Sequence, residues 1–251
     1  MLKTPLIVLA SLFGVLSSTS LNAQVGANNP GATFRLSSED PVQNVPYSAK
    51  RCFTETKKLA NGTMGHSEYS GSIARDSQGR TYTADERRVT YFDDKTKKNA
   101  LGTEVLYRID DPVAKSETRW DTTSKTVKVI RASRTQPDDA CKDECFNASV
   151  EAFLNPPGDT VEKLGEKTVN AFVVEGTRSS YTIPAGKDHN DQPIVVTRES
   201  WYSPELKVVI LVISDDPRSG STKDELLDIV LGEPDVTQYR PPASYEVREI
   251  Q

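Results

Sequence analysis

One run constrains this chain more than any other feature: Leu206 to Ile213, apolar throughout except for Lys207. Side chains alternate between the two faces of a strand, so Leu206, Val208, Ile210 and Val212 share one face and Val209, Leu211 and Ile213 the other. A strand with both faces apolar needs cover on both sides, which places it inside a sheet and not at its edge.

Regular punctuation carries the same grammar in both directions. Asn61-Gly62 and Ser77-Gln78-Gly79, flanked by runs bearing Thr, Tyr, Val and Ile, predict three strands near residues 51–59, 64–75 and 80–91. Asn-Gly suits the left-handed dihedrals of a two-residue hairpin turn. After a charged turn at 93–100, Thr103, Val105, Tyr107 and Ile109 alternate with Glu104 and Arg108 until Asp110-Asp111-Pro112. A hairpin of 115–120 and 126–132 follows, around Thr122-Thr123-Ser124.

The second half reads as strands at 161–168, 172–183, 193–202, 206–214 and 221–231, then a tail with Tyr239, Pro241-Pro242 and Tyr245. Residues 134–158 lack β patterning, and Phe146 to Leu154 reads as a short helix, so an insertion serving as lid, recognition element or packing filler is expected there. No βαβ alternation and no repeat is visible. The expectation is a mainly β fold: one large antiparallel sheet of about ten or eleven strands, spanning 47–251, with a short helical or loop insertion.

The amino terminus carries a different signal. Lys3 precedes an apolar run from Leu6 to Leu16, too short to cross a bilayer, and Leu21-Asn22-Ala23 offers a small residue for cleavage before Gln24. Residues 1–23 therefore read as a signal peptide and 24–46, rich in Gly, Asn, Ser and Pro, as a flexible arm. Export to a periplasm or beyond follows, with disulfides permitted. The formal charge of −5 becomes about −6 once Lys3 is removed, so the electrostatic footprint of a nucleic-acid binder is missing.

Leu164-Gly165-Glu166-Lys167-Thr168-Val169, Val174-Glu175-Gly176-Thr177-Arg178, Glu199 to Leu206 with its Trp201-Tyr202-Ser203-Pro204 centre, Asp215-Asp216-Pro217-Arg218-Ser219-Gly220 and Pro242-Ala243-Ser244-Tyr245 together resemble uncharacterised exported proteins of acidobacterial type. The likeness covers most of the chain after Tyr47. More distantly, the strand order is similar to the half-barrel of periplasmic lipoprotein carriers, the LolA and LolB group. That resemblance implies a curved sheet whose concave face is apolar and covered by helices; no motif transfers the carriers' lipid-contacting residues to positions here.

Few groups suggest chemistry. Cys141 and Cys145 have a spacing compatible with a metal site or a local disulfide; a metal needs about four ligands and neither histidine is near, so the disulfide is favoured. Cys52 is either a buried thiol or a partner for Cys141 or Cys145. His66 and His189 sit beside hairpin turns, and no Gly-x-Ser-x-Gly elbow accompanies them. Asp110-Asp111 and Asp215-Asp216 precede proline, where a turn role accounts for them, and Asp138-Asp139 matches no calcium loop. Asn61-Gly62-Thr63 and Asn147-Ala148-Ser149 are glycosylation-like but fit turns or chance.

No catalytic residue, cofactor or metal site is thus assigned. The expected function is a non-enzymatic exported protein holding a lipid or other apolar ligand on the concave face. Trp120, Trp201, Val209, Leu211 and Ile213 are its candidate lining or core. The alternative is a periplasmic interaction or structural module with a solid core and a protein partner.

Overall fold

Each reversal of the chain turns on a left-handed residue. Gly62 and Gly79 (φ 83° each) serve the first two turns, Lys97, Lys115 and Lys125 (54°, 48° and 54°) the next three, and Lys207 (49°) and Gly220 (105°) two later ones. Several share one design, in which an Asp or Ser side chain four residues earlier accepts backbone N–H groups inside the turn. Asp111 accepts from Val113 and Ala114 (2.9 and 2.8 Å), Asp121 from Thr123 and Ser124 (2.9 and 2.5 Å), and Ser203 Oγ from Leu206 (3.2 Å). This is the Asx-turn chemistry that lets short polar residues mimic a backbone turn. At the first turn the expected two-residue loop is longer. Lys58 pairs with Met64, Leu59 N–H donates to Thr63 O, and only Gly62 takes positive φ, because Asn61 instead accepts from Thr63 N–H.

The computed structural model describes residues 41–131 and 160–250, which form one twelve-stranded sheet. Strands β1 (Tyr47–Lys58), β2 (Met64–Arg75), β3 (Thr81–Asp93), β4 (Lys98–Asp111), β5 (Ser116–Asp121) and β6 (Thr126–Arg131) make one antiparallel meander. A second comprises β7 (Thr160–Val169), β8 (Phe172–Ile183), β9 (Ile194–Ser203), β10 (Val208–Asp216) and β11 (Gly220–Leu231). Antiparallel pairing of β1 with β11 fuses the two. A twelfth strand that the sequence pattern did not announce, β12 (Glu246–Ile250), adds to β6 in parallel, so the sheet runs from β12 to β7. The leader, Cys141, Cys145, Asp138-Asp139, Asn147 and the expected helix at 146–154 lie outside the described residues.

The doubly apolar strand is β10. It lies inside the sheet between β9 and β11, and Val208 to Val212 are all buried. Its simple alternation is interrupted, however. Val209 pairs with Tyr202 and Leu211 with Trp201, a register shift that lets Val208, Ile210 and Leu211 join one core cluster with Trp201. Val209 and Val212 are buried outside that cluster.

This first cluster gathers Tyr47, Ile73, Phe172, Val174, Leu206 and Leu226 where β1, β8 and β10 begin and β2, β9 and β11 end. Arg75, at the end of β2, crosses that end. Its guanidinium donates to Val45 O (Nε 3.0 Å, Nη2 2.9 Å), Lys207 O (3.4 Å) and Leu206 O, and stacks 4.9 Å over the Tyr47 ring. β1 and β11 intervene between β2 and β10 in the sheet, so these bonds require a strong curl. A second cluster, Ala74, Tyr82, Trp120, Val127 and Tyr239, underlies the C-terminal segment. There Asp235 caps a 3-10 turn, Val236–Tyr239, and the Tyr239 ring packs 5.3 Å from that of Tyr82.

Candidate functional site

Curling the first meander leaves a groove of about 820 Å³ along β1 to β6 and β12. One row along it follows the register Arg51, Gly71, Asp85, Leu106 across β1 to β4. Gly71 is required here, because a Cβ on it would stand 2.8 Å from Ala84 O and from Asp85 Oδ1. Without that Cβ, Asp85 reaches back to accept from Arg51 Nη1 at 3.3 Å. Arg51 also holds Asp224 of β11 with both arms of its guanidinium, and burial, opposed by these carboxylates, leaves its pKa raised.

Apolar groups interleave with charge along the groove. Phe53 and Tyr69 pack with ring centroids 6.0 Å apart, and Leu106, Ile130 and Ile250 contribute further along. Between them stand Arg87, whose Nε donates to the buried Glu104, and Arg108, which pairs with Asp110 at 2.6 Å and Glu117 at 3.1 Å. The purely apolar concave face that the carrier likeness implies is thus a mixed one in this meander. Pleat alternation explains it: Leu106 precedes Tyr107, Arg119 precedes Trp120, and Val127 precedes Lys128, so each aromatic or branched residue of the second cluster carries a polar or smaller neighbour on the other face.

The structure separates the residues that the sequence grouped. Trp201, Leu211 and Ile213 pack in the first cluster, Trp120 lies in the second with its ring stacked 4.9 Å from Tyr107, and Val209 is buried outside both. Arg51, Asp85 and Arg108, which shape the groove, were not singled out from the sequence, since only strand register brings them together. Cys52 carries a free thiol whose Sγ lies 3.8 Å from Glu68 Oε1. Burial, then Glu68 and Glu225, push its pKa up, against the thiolate a redox cysteine needs. His66 Nδ1 shares a 3.4 Å contact with the Thr56 hydroxyl, and His189 sits in a turn at φ 57°. Asp111 and Asp216 act as turn caps. Among the described residues no group of three or more His, Cys, Asp or Glu could hold a metal ion.

An open, strongly curled, mostly antiparallel sheet with a ligand-sized groove is the class these features define. No family model and no curated protein matches the chain. Among solved structures it is similar to an uncharacterized conserved protein from Thermus thermophilus (TM-score 0.41, 7% identity, 82% of this chain and 90% of that one). It is also similar to a chain of the Pseudomonas aeruginosa MucA/MucB complex (0.39, 10%, 83% and 59%). A third similar structure is the LolA superfamily protein NE2245 from Nitrosomonas europaea (0.31, 8%, 85% and 98%).

Proposed function

We propose that this chain is an exported, non-enzymatic binding protein whose curled sheet holds the apolar part of a ligand, a lipid or an acylated chain. The groove beside β1 to β6 carries the reading: its volume of about 820 Å³ falls in the range of small-molecule pockets, and Phe53, Leu106, Ile130 and Ile250 offer apolar contact along it. The leader pattern ending at Ala23 supports export and processing. Native mass spectrometry of protein purified from a membrane-containing host tests the idea. Bound lipid that Leu106→Gln or Ile130→Gln removes is the expected result. Ligand-free protein that also fails to take up a fluorescent fatty acid would overturn it.

A second reading, a module holding a protein partner, is favoured by the outer half of the β3–β4 hairpin. Beyond Asp85 β3 pairs only with β4, and this two-stranded ribbon exposes Phe92 (57%) and Leu101 (76%). A photo-crosslinker at Leu101 that traps one defined partner in cells would favour it over ligand carriage.

A further inference from the structure

Strand register sets four cations side by side on the groove face: Arg108 of β4 opposes Arg119 of β5, Arg119 opposes Lys128 of β6, and Lys128 opposes Arg248 of β12. Neighbouring strands stand about 4.8 Å apart, so the first three span about 10 Å, within the convergent reach of long side chains. Like charges directly opposite one another destabilise a sheet. The carboxylates that pair with the row are Asp110 and Glu117 for Arg108, Glu117 again for Arg119, and Glu246 for Arg248, three acids for four cations among the described residues. Asp85, Glu86 and Asp121 also line the groove, but Asp85 is held by Arg51, Glu86 accepts from Ser70 Oγ, and Asp121 accepts from Thr123 and Ser124.

Two observations point to unmet bonding capacity in the row, although the buried Glu117 Oε1 within it also lacks a hydrogen bond among the described residues. Arg108 Nη1 is buried and has no hydrogen-bond partner among the described residues. Lys128 is exposed into the groove and has no ion pair among them either. Burial, then repulsion from Arg108, also holds the Arg119 pKa below its ordinary value. Guanidinium groups and an ammonium on three adjacent strands suit a tetrahedral oxyanion, whose several oxygens can accept from more than one strand at once.

We propose that Arg108, Arg119 and Lys128 bind the phosphate head of an amphiphile whose chain lies along Phe53, Leu106 and Ile130; the chain's placement rests on the function proposed above, the head's on the row itself. The test is titration calorimetry of the full chain with dodecyl phosphate, dodecyl maltoside and inorganic phosphate, with Lys98→Gln as a control outside the groove. Dodecyl phosphate should bind at least about tenfold more tightly than the neutral detergent, a gap equal to one charge-assisted contact. Arg119→Gln/Lys128→Gln should reduce the gap below about threefold without changing dodecyl maltoside binding, and added salt should reduce it in the native chain. Lys128→Glu, a single change at an exposed position, should reduce it as well.

Equal affinity for the two detergents, or a gap that survives both variants, overturns the head site while leaving the apolar groove standing. If phosphate alone binds, is lost in the double variant and gains nothing from the dodecyl chain, the cation row stands and its source is free phosphate, and the apolar reading falls. Binding of none of the three overturns both.

Discussion

Arg51 clasps Asp224 through two hydrogen bonds, Nε to Oδ1 at 2.9 Å and Nη2 to Oδ2 at 2.5 Å, although 173 residues separate them in the chain. Their strands, β1 and β11, form the seam at which the two meanders fuse, and both side chains are buried, 7% and 3% exposed. Removing one member of a buried ion pair strands the other's charge, at a cost of about 3–5 kcal/mol. Asp224→Ala is expected to lose that much in urea unfolding. Replacing both residues by apolar ones, Arg51→Met with Asp224→Leu, should recover only part of it, since hydrophobes can substitute for a buried pair but Asp85 and Arg198 would each lose a charged neighbour. A loss below about 1 kcal/mol for Asp224→Ala would show that the seam holds without the pair.

Gly176 and Trp201 face each other across β8 and β9, and a Cβ on Gly176 would lie 2.6 and 2.7 Å from indole carbons. Lys167 covers the same indole from β7, with Nζ 3.4 Å from the ring centroid. The ring is therefore in contact with β8 and β7 at once. Gly176→Ala should cost about 1–3 kcal/mol, the range for overpacking a filled site, and should shift Trp201 fluorescence, with Trp120→Phe as the background that isolates it. An unchanged emission spectrum and melting temperature would mean that the ring does not rest on this glycine.

Much of the fold was legible because turns and alternation are local. Asp or Ser followed four residues later by Lys or Gly recurs at 93–97, 111–115, 121–125, 203–207 and 216–220, and each instance is a strand reversal. With the Asn61-Gly62 and Gly79 turns they mark seven of the nine hairpin reversals; β7 to β8 turns instead on Asn170-Ala171, and β8 to β9 on a longer loop with Gly186 and His189 at positive φ. β12 escaped because it is short, wholly exposed and paired in parallel with a strand more than a hundred residues earlier. No Gly or Pro marks the shift at Ile210, so the two faces of β10 were assigned by simple alternation, which the bulge breaks. The groove was least legible. Arg108, Arg119 and Lys128 look like ordinary surface charges until register aligns them, and the two tryptophans, alike in sequence context, belong to different meanders.

The lysine turns make their own prediction. Lys125 holds φ 54° between β5 and β6, a conformation that costs a residue with a Cβ about 1–2 kcal/mol and glycine little. Part of that gain returns as the greater entropy of glycine in the unfolded chain. Lys125→Gly should therefore raise stability by about 0.5 kcal/mol, whereas Lys125→Val should lower it by more than about 1 kcal/mol, roughly the added strain of a β-branched residue at positive φ. Chemical denaturation of the two variants checks the opposite signs. Destabilisation by glycine would mean that the lysine side chain, and not its backbone, secures the turn.

Tyr82 predicts how the fold responds to alkali. Its hydroxyl donates to Asp76 Oδ2 at 3.0 Å in a site 5% exposed, and Asp76 also accepts from Gln78 N–H, Arg80 N–H and Arg80 Nε. Burial first, then the hydrogen bond and charge of Asp76, push the Tyr82 pKa from 10.0 up to about 12. An unfolded chain releases this proton near pH 10, while the folded chain keeps it to about 12. Between these values the unfolded state binds fewer protons, so stability declines as pH rises. The contribution is complete below about pH 10 and gone above about 12. Tyr47, Tyr202 and Tyr239 are raised in the same direction by burial, so the native curve sums several groups. Tyr82→Phe should lower stability at neutral pH by about 1 kcal/mol, the value of one hydrogen bond, and flatten the decline between about pH 10 and 12 relative to the native chain. Parallel curves for the two proteins across that interval would show that the Tyr82 proton is not linked to folding.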